Sequence, residues 1–256
     1  MVEVSDTKGA GGRRIPVTLE WIGKVAVVTL CRPERRNAVD HESLLLLRTI
    51  QQEVAHMARV VVLTGQSPAF CAGADLNGVE SDEFADALGA ALRGFVELPC
   101  ITMASIDGPA LGAGTQLAVA CDLRMATPRS VFGIPAAKLG LAVDQWTIER
   151  VSHEFGWPIA RHMLLGVGTY TADALHVQGG VHKIGTLVDA LDWAEQLATL
   201  APITIAAHKR GLEAVAEKLV VDEAFEQLRT KAWASRDAHE GRTAFLEKRL
   251  AEFTGD

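Results

Sequence analysis

Apolar and polar positions follow two rhythms along this chain. Up to about residue 143 the apolar residues come in short runs, many of them β-branched: "IPVTLEW" (15–21), "KVAVVTL" (24–30), "ARVVVLTG" (58–65) and "CITMASID" (100–107). Runs of four to eight such residues between turn signals predict strands. Gly23 between the first two predicts a tight hairpin. Asp40 stands where an N-cap would open a helix over about 41–57, which makes the strand at 58–65 part of a βαβ unit. The segment "QLAVACD" reads as a buried helix, and "LRMATPRSVFG" (123–133) as one or two short strands. From Asp144 onward "QWTIERVSHEF", "DALDWAEQLATL", "TIAAHKRGLEAVAEK" and "AFEQLRTKAWASR" repeat apolar residues at helical spacing. The pattern predicts one α/β unit followed by a helical block, with no internal repeat and no long linker.

Composition narrows the function classes. With 48% hydrophobic and 22% charged residues, the 256-residue chain has the make-up of a soluble globular protein. A net charge of −7 argues against nucleic acid as a partner, which needs a basic face. No apolar run reaches the ~18 residues that a membrane span requires. Residues 1–14 lack an apolar segment and read as a disordered tail, not a signal peptide. Cysteines at 31, 71, 100 and 121 show no CxxC spacing, and the eight histidines no HxxxH spacing, so no metal site is expected and reduced cytoplasmic thiols are.

Two small-residue loops carry the candidate chemistry. In "TGQSPAFCAGADL" (64–76) a strand ends at Gly65 and Ala72-Gly73-Ala74-Asp75 follow. Taken alone, this is also ordinary turn chemistry with Asp75 as a helix cap. In "GPALGAGTQLA" (108–118) Gly112-Ala113-Gly114 lies between a strand and a helix, so its backbone N–H groups can face a ligand. Leu117 breaks a GxGxxG pattern, no Gly-Lys-Ser/Thr follows, and GxSxG is missing. What is left is a pair of backbone donors of the kind an oxyanion hole uses.

"RPERRNAV", "AFCAGADL", "DGPALGAGTQLAVACDLRMAT" and "FGIPAAKLGLA" occur in the order and spacing of the enoyl-CoA hydratase/isomerase (crotonase) superfamily, which the chain resembles from about residue 15 to its end. The resemblance implies a spiral of ββα units over 15–200 and a helical trimerisation region over 201–256. It implies an acyl-coenzyme A thioester as ligand or substrate and no other cofactor. The N–H groups of Ala74 and Ala113 would hold the thioester oxygen, although the family usually has glycine at the second position. Arg36, Asn37, Ala38, Cys71, Ala72, Gly73, Asp75 and Leu76 would line the path of the coenzyme A moiety, and the basic "RPERR" turn would meet its phosphates.

Family hydratases carry glutamates at the positions of Gln116 and Ala136, with a water between them. Neither residue here can take up a proton, so the site has lost its customary acid and base. Asp144 resembles an aspartate that moves protons in family isomerases, and equally fits the N-cap that the following helix needs. Phe132, Leu139 and Trp146 fit an acyl pocket or plain core. Asp122 fits a structural hydrogen bond between helix and strand. The reading implied is a cytoplasmic acyl-CoA-binding protein of lipid metabolism, a carrier or sequestering protein with hydratase activity weak or absent. It would assemble as a trimer or a hexamer (a dimer of trimers), with a lipid-pathway protein as a further partner. The alternative is an active enoyl-CoA hydratase, or an enoyl- or dienoyl-CoA isomerase that uses Asp144.

Overall fold

The computed structural model describes residues 15–216, 230, 231 and 233–252. The tail expected over 1–14 lies outside the described residues, as does part of the C-terminal region. The chain opens with β1 (Val17–Ile22) and β2 (Val25–Leu30), an antiparallel hairpin that turns at Gly23. Helix α1 (His41–Val54) starts on the predicted cap: Asp40 Oδ1 accepts from Ser43 N at 2.9 Å. It ends three residues before the predicted boundary, and β3 (Val60–Gly65) follows. Helix α2 (Asp82–Glu97) starts on Ser81 and not on Asp75, whose carboxylate pairs with Arg32 instead of capping a helix.

Strand β4 (Ile101–Ile106), strand β5 (Pro109–Leu111), helix α3 (Ala113–Ala120) and strands β6 (Leu123–Ala126) and β7 (Val131–Gly133) come next. The segment 123–133 is therefore two strands. Helices α4 (Gln145–Phe155) and α5 (Trp157–Leu165), strand β8 (Thr169–Thr171), helix α6 (Ala172–Val177), strand β9 (Lys183–Ile184) and helices α7 (Leu187–Leu197) and α8 (Pro202–Ala216) complete the main body. A last helix spans Arg236–Glu247.

Six strands form one sheet in the order β1-β2-β3-β4-β6-β9, parallel throughout except for β1. Parallel strands are covered on both faces, which is why β3 and β4 are nearly continuous apolar runs. Val61 and Leu63 face the larger core with Leu44 and Leu47 of α1, while Val60, Val62 and Met103 face Ala190 and Ala194 of α7. Each fully buried aliphatic side chain of this kind contributes about 1.5–3 kcal/mol.

A second, smaller layer contains β5, β7 and β8. Two isolated parallel bridges extend it, Cys71 to Ala110 and Val39 to Ala74. The loops after β2, β3 and β4 thus pair with one another in a row, at the carboxyl ends of the large sheet's strands. This is the spiral of ββα units expected for a crotonase fold.

Where described, residues 201–256 are mainly helical and pack on their own chain. Lys209 Nζ of α8, almost fully buried, donates to Phe95 O (2.9 Å) and Asp122 Oδ2 (2.8 Å). Asp122 also accepts from Thr102 N at 2.7 Å, the helix-to-strand link that its position suggested. Among the described residues no helix is long and apolar enough to cross a membrane.

Candidate functional site

Strand pairing fixes where the two candidate donors point. In the bridge to Ala74, Val39 uses both its own backbone groups: Val39 N donates to Gly73 O (2.9 Å), and Asp75 N donates to Val39 O (2.8 Å). The N–H of Ala74 therefore faces away from Val39, and no acceptor meets it among the described residues. Ala113 is the first residue of α3, where a helix leaves its N–H groups without intrahelical partners. Its N–H also has no acceptor among the described residues.

The two loops touch. A Cβ at Gly114 would lie 2.1 Å from Cys71 O, so only glycine lets α3 come this near the Cys71 strand. Gly112, at φ 52° and ψ −118°, takes a conformation open to glycine and little else, and a Cβ there would stand 3.6 Å from Gly73 Cα. Gly112 N donates to Gly133 O (2.9 Å), which ties the turn to β7.

Helix α3 is buried along its whole length. Its amino end would be the positive end of a dipole, and its carboxyl end is matched by two guanidinium groups. Arg124 Nη1 donates to Ala118 O and Cys121 O (3.2 and 2.7 Å), and Arg150 Nε to Val119 O (2.9 Å). Arg124 is 1% exposed and pairs with Glu154, while Arg150 pairs with Glu213 at 2.8 Å. These roles of Arg124 and Arg150 are not visible in the sequence, because their partners are carbonyls and acids brought together only by the fold.

Gln116 lies on α3, 7% exposed, and its Nε2 donates to Thr147 Oγ1 at 2.7 Å. Thr147 N in turn donates to Asp144 Oδ1 (3.1 Å), so Asp144 is the N-cap of α4. Ala136 opens a short 3-10 turn (Ala136–Leu139) and packs against the core with a methyl group. The last helix covers this turn closely: a Cβ at Gly241 would lie 2.3 Å from the Leu139 carbonyl carbon, and one at Gly140 2.3 Å from Asp237 O. Trp233 Nε1 donates to Ala142 O (2.6 Å) from the same side. Leu139 and Trp146 are half-buried. Phe132, read as acyl pocket or plain core, is 0% exposed and edge-on to Phe155, packed inside the core.

The proposed coenzyme A segment divides in the same way. Arg36 is exposed at φ 50°, and Ala38, Ala72, Asp75 and Leu76 are half-buried. Asn37, 1% exposed, donates to Gln66 O (2.6 Å) and Ala69 O (2.7 Å), so its amide clamps the loop from inside. Cys71 and Gly73 are buried, and burial pushes the Cys71 thiol up to about 12, which makes it inert. Arg32, in the basic turn expected to meet the coenzyme A phosphates, instead points inward and bridges Asp40 and Asp75 at 3.0 Å each. Partial burial raises the Asp75 carboxyl, but the Arg32 and Asn77 hydrogen bonds outweigh it and hold the group below its usual value.

A family model described as enoyl-CoA hydratase/isomerase matches residues 21–256. The Mycobacterium tuberculosis (strain CDC 1551 / Oshkosh) protein named probable enoyl-CoA hydratase echA6 is 42% identical over 237 residues, covering 90% of this chain and 96% of the relative. The 2,3-dehydroadipyl-CoA hydratase of Escherichia coli (strain K12) is 34% identical over 247 residues, covering 91% and 96%. A solved structure of methylmalonyl-CoA decarboxylase with 2-nitronate-propionyl-CoA shares the fold at a TM-score of 0.86 and 23% identity, over 94% of this chain and 98% of that one. The chain belongs to the enoyl-CoA hydratase/isomerase family.

Proposed function

We propose that this protein binds acyl-coenzyme A thioesters at the paired loops and hydrates them weakly or not at all, serving as an acyl-CoA carrier or store in lipid metabolism. The observation that carries the reading is the Gln116 amide. Its Nε2 is committed to Thr147, which leaves Oε1 as an acceptor and no group that could take a proton from water. Ala136 adds only a methyl group. Loss of a general acid or base commonly costs about 10²–10⁴ in rate.

In this reading the free N–H groups of Ala74 and Ala113 hold the thioester oxygen, helped by the positive end of α3. Arg36 faces the coenzyme A phosphates, with Ala38, Ala72, Gly73, Asp75 and Leu76 along its path, while Asn37 and Cys71 hold the loops in shape. Leu139 and Trp146 line the acyl end. The relatives named for CoA-thioester hydration support this ligand class. The reading includes a trimer or dimer of trimers, and work in the cytoplasm, which four buried cysteines without a disulfide support.

The competing outcome is an isomerase using Asp144. Exchange of substrate α and γ protons with deuterated water, followed by NMR, tests it. No protein-dependent exchange is expected, in the parent or in Asp144→Asn, which keeps a capping side chain. Fast exchange in the parent that disappears in Asp144→Asn would replace the carrier with an isomerase.

A further inference from the structure

The paired loops stand at the carboxyl ends of the large sheet's strands. At the opposite, amino ends lies a separate cavity of about 740 Å³, bounded by the β1–β2 turn, the residues after α1, those before β4, and the start of α8. Its volume is within the ~300–1,000 Å³ of sites that enclose a small molecule. Part of the wall is apolar, including Trp21, Met57, Leu200 and Ile203, all large side chains left exposed. Such a patch of apolar surface marks an interaction site.

The two fixed charges of the wall, Lys24 and Arg59, have the same sign. Lys24, His56 and Arg59 line the cavity, and among the described lining residues there is no carboxylate, in a chain whose net charge is −7. Lys24 and Arg59 are held side by side, because Arg59 N donates to Lys24 O at 2.9 Å. Arg59 Nη1 is buried without a hydrogen-bond partner among the described residues. A buried guanidinium N–H left unmatched is costly; the rest of Arg59 is half-buried and lines the cavity, so a small turn of the side chain would bring this group onto a bound anion. Helix α8 begins in the same wall at Pro202, so its positive end adds to the field there.

We propose that this cavity is a second ligand site, for an amphiphilic anion: an apolar chain lying against Trp21, Met57, Leu200 and Ile203, with a carboxylate or phosphate head on Arg59 and Lys24. The site is independent of the acyl-CoA loops, which lie beyond the other end of the strands.

Calorimetry with dodecanoate, dodecyl phosphate, dodecanol and inorganic phosphate tests it on the full chain, with and without excess butyryl-CoA. Dodecanoate or dodecyl phosphate is expected to fill one site per chain whether or not butyryl-CoA is present, and the stronger of the two identifies the head group. Dodecanol and inorganic phosphate alone should each bind at least about tenfold more weakly, as should the anion to Arg59→Gln, since a hydrogen bond to a charged group is worth about 1.5–3 kcal/mol. The exposed Lys24→Gln, which keeps the fold, should weaken the anion several-fold. Failure of both anionic probes to bind, equal binding to both variants, or displacement by butyryl-CoA would overturn the proposal. So would sedimentation showing that Ile203→Asp splits the native oligomer, because the cavity would then be a subunit contact.

Discussion

The Gln116 side-chain nitrogen donates to the Thr147 hydroxyl at 2.7 Å, across 31 residues of sequence. That one bond commits the nitrogen of the amide and leaves Oε1 as an acceptor. The same threonine gives its backbone N–H to the Asp144 cap, so the amide, the cap and the start of α4 form one connected unit.

Thr147→Val removes the partner of a buried amide and leaves the backbone cap in place. Unfolding by denaturant should show a loss of about 1–3 kcal/mol, the cost of one unsatisfied buried polar group. Thr147→Ser keeps the hydroxyl and should lose less. Equal stability of the parent and the valine variant would mean that the bond does not form.

Loop contact gives a second expectation. Gly114→Ala places a methyl group 2.1 Å from Cys71 O and must push the two loops apart, so acyl-CoA affinity should fall at least about tenfold, the effect of losing a good hydrogen bond or more. Ala74→Pro removes a donor that no group among the described residues uses, so the variant should fold while binding of the thioester weakens. Free coenzyme A, which lacks the carbonyl, should bind Ala74→Pro as well as it binds the parent. Unchanged acyl-CoA affinity in both variants would contradict the proposed donors.

The pH dependence of stability has a predicted direction. Partial burial and the neighbouring Arg124 charge pull His182 down from 6.5 to about 4. The unfolded chain then binds more protons between these values, so this contribution is complete above about pH 6.5 and fades as pH falls toward 4. His182 Nδ1 accepts from Arg124 N (3.1 Å), and His182→Asn can keep an acceptor without titrating. Unfolding free energies of the parent and this variant from pH 7 to 4 should converge in slope elsewhere and differ in that window. Parallel curves throughout would refute the assignment.

Much of the fold was legible because local signals and tertiary structure agree. The hairpin at Gly23, the Asp40 and Asp144 caps and the runs at 58–65 and 100–107 all stand where the pattern put them. Helix α2 is marked by Ser81 and by the spacing of Phe84, Ala87, Ala91, Leu92 and Phe95, but Gly89 and Gly94 inside it weaken the helical signal. The inward turn of Arg32, the burial of Arg124 and Lys209, and the Gln116–Thr147 bond were not legible. Each joins a polar group to partners far along the chain, a relation that periodicity and spacing do not encode. For the same reason the pattern leaves Phe132, on a strand beside the loops, open between pocket and core, and its edge-on contact with Phe155 lies in the core.

The central claim is that the site binds a thioester and lacks the groups to hydrate it. Crotonyl-CoA binding by calorimetry and loss of conjugated-enone absorbance, measured on one sample, test both halves together. The parent should bind and show little or no turnover, and Gln116→Glu combined with Ala136→Glu should raise turnover while either change alone does little, since paired acid and base groups act as a unit. Brisk hydration of crotonyl-CoA by the unmodified protein, or no binding at all, would contradict the account.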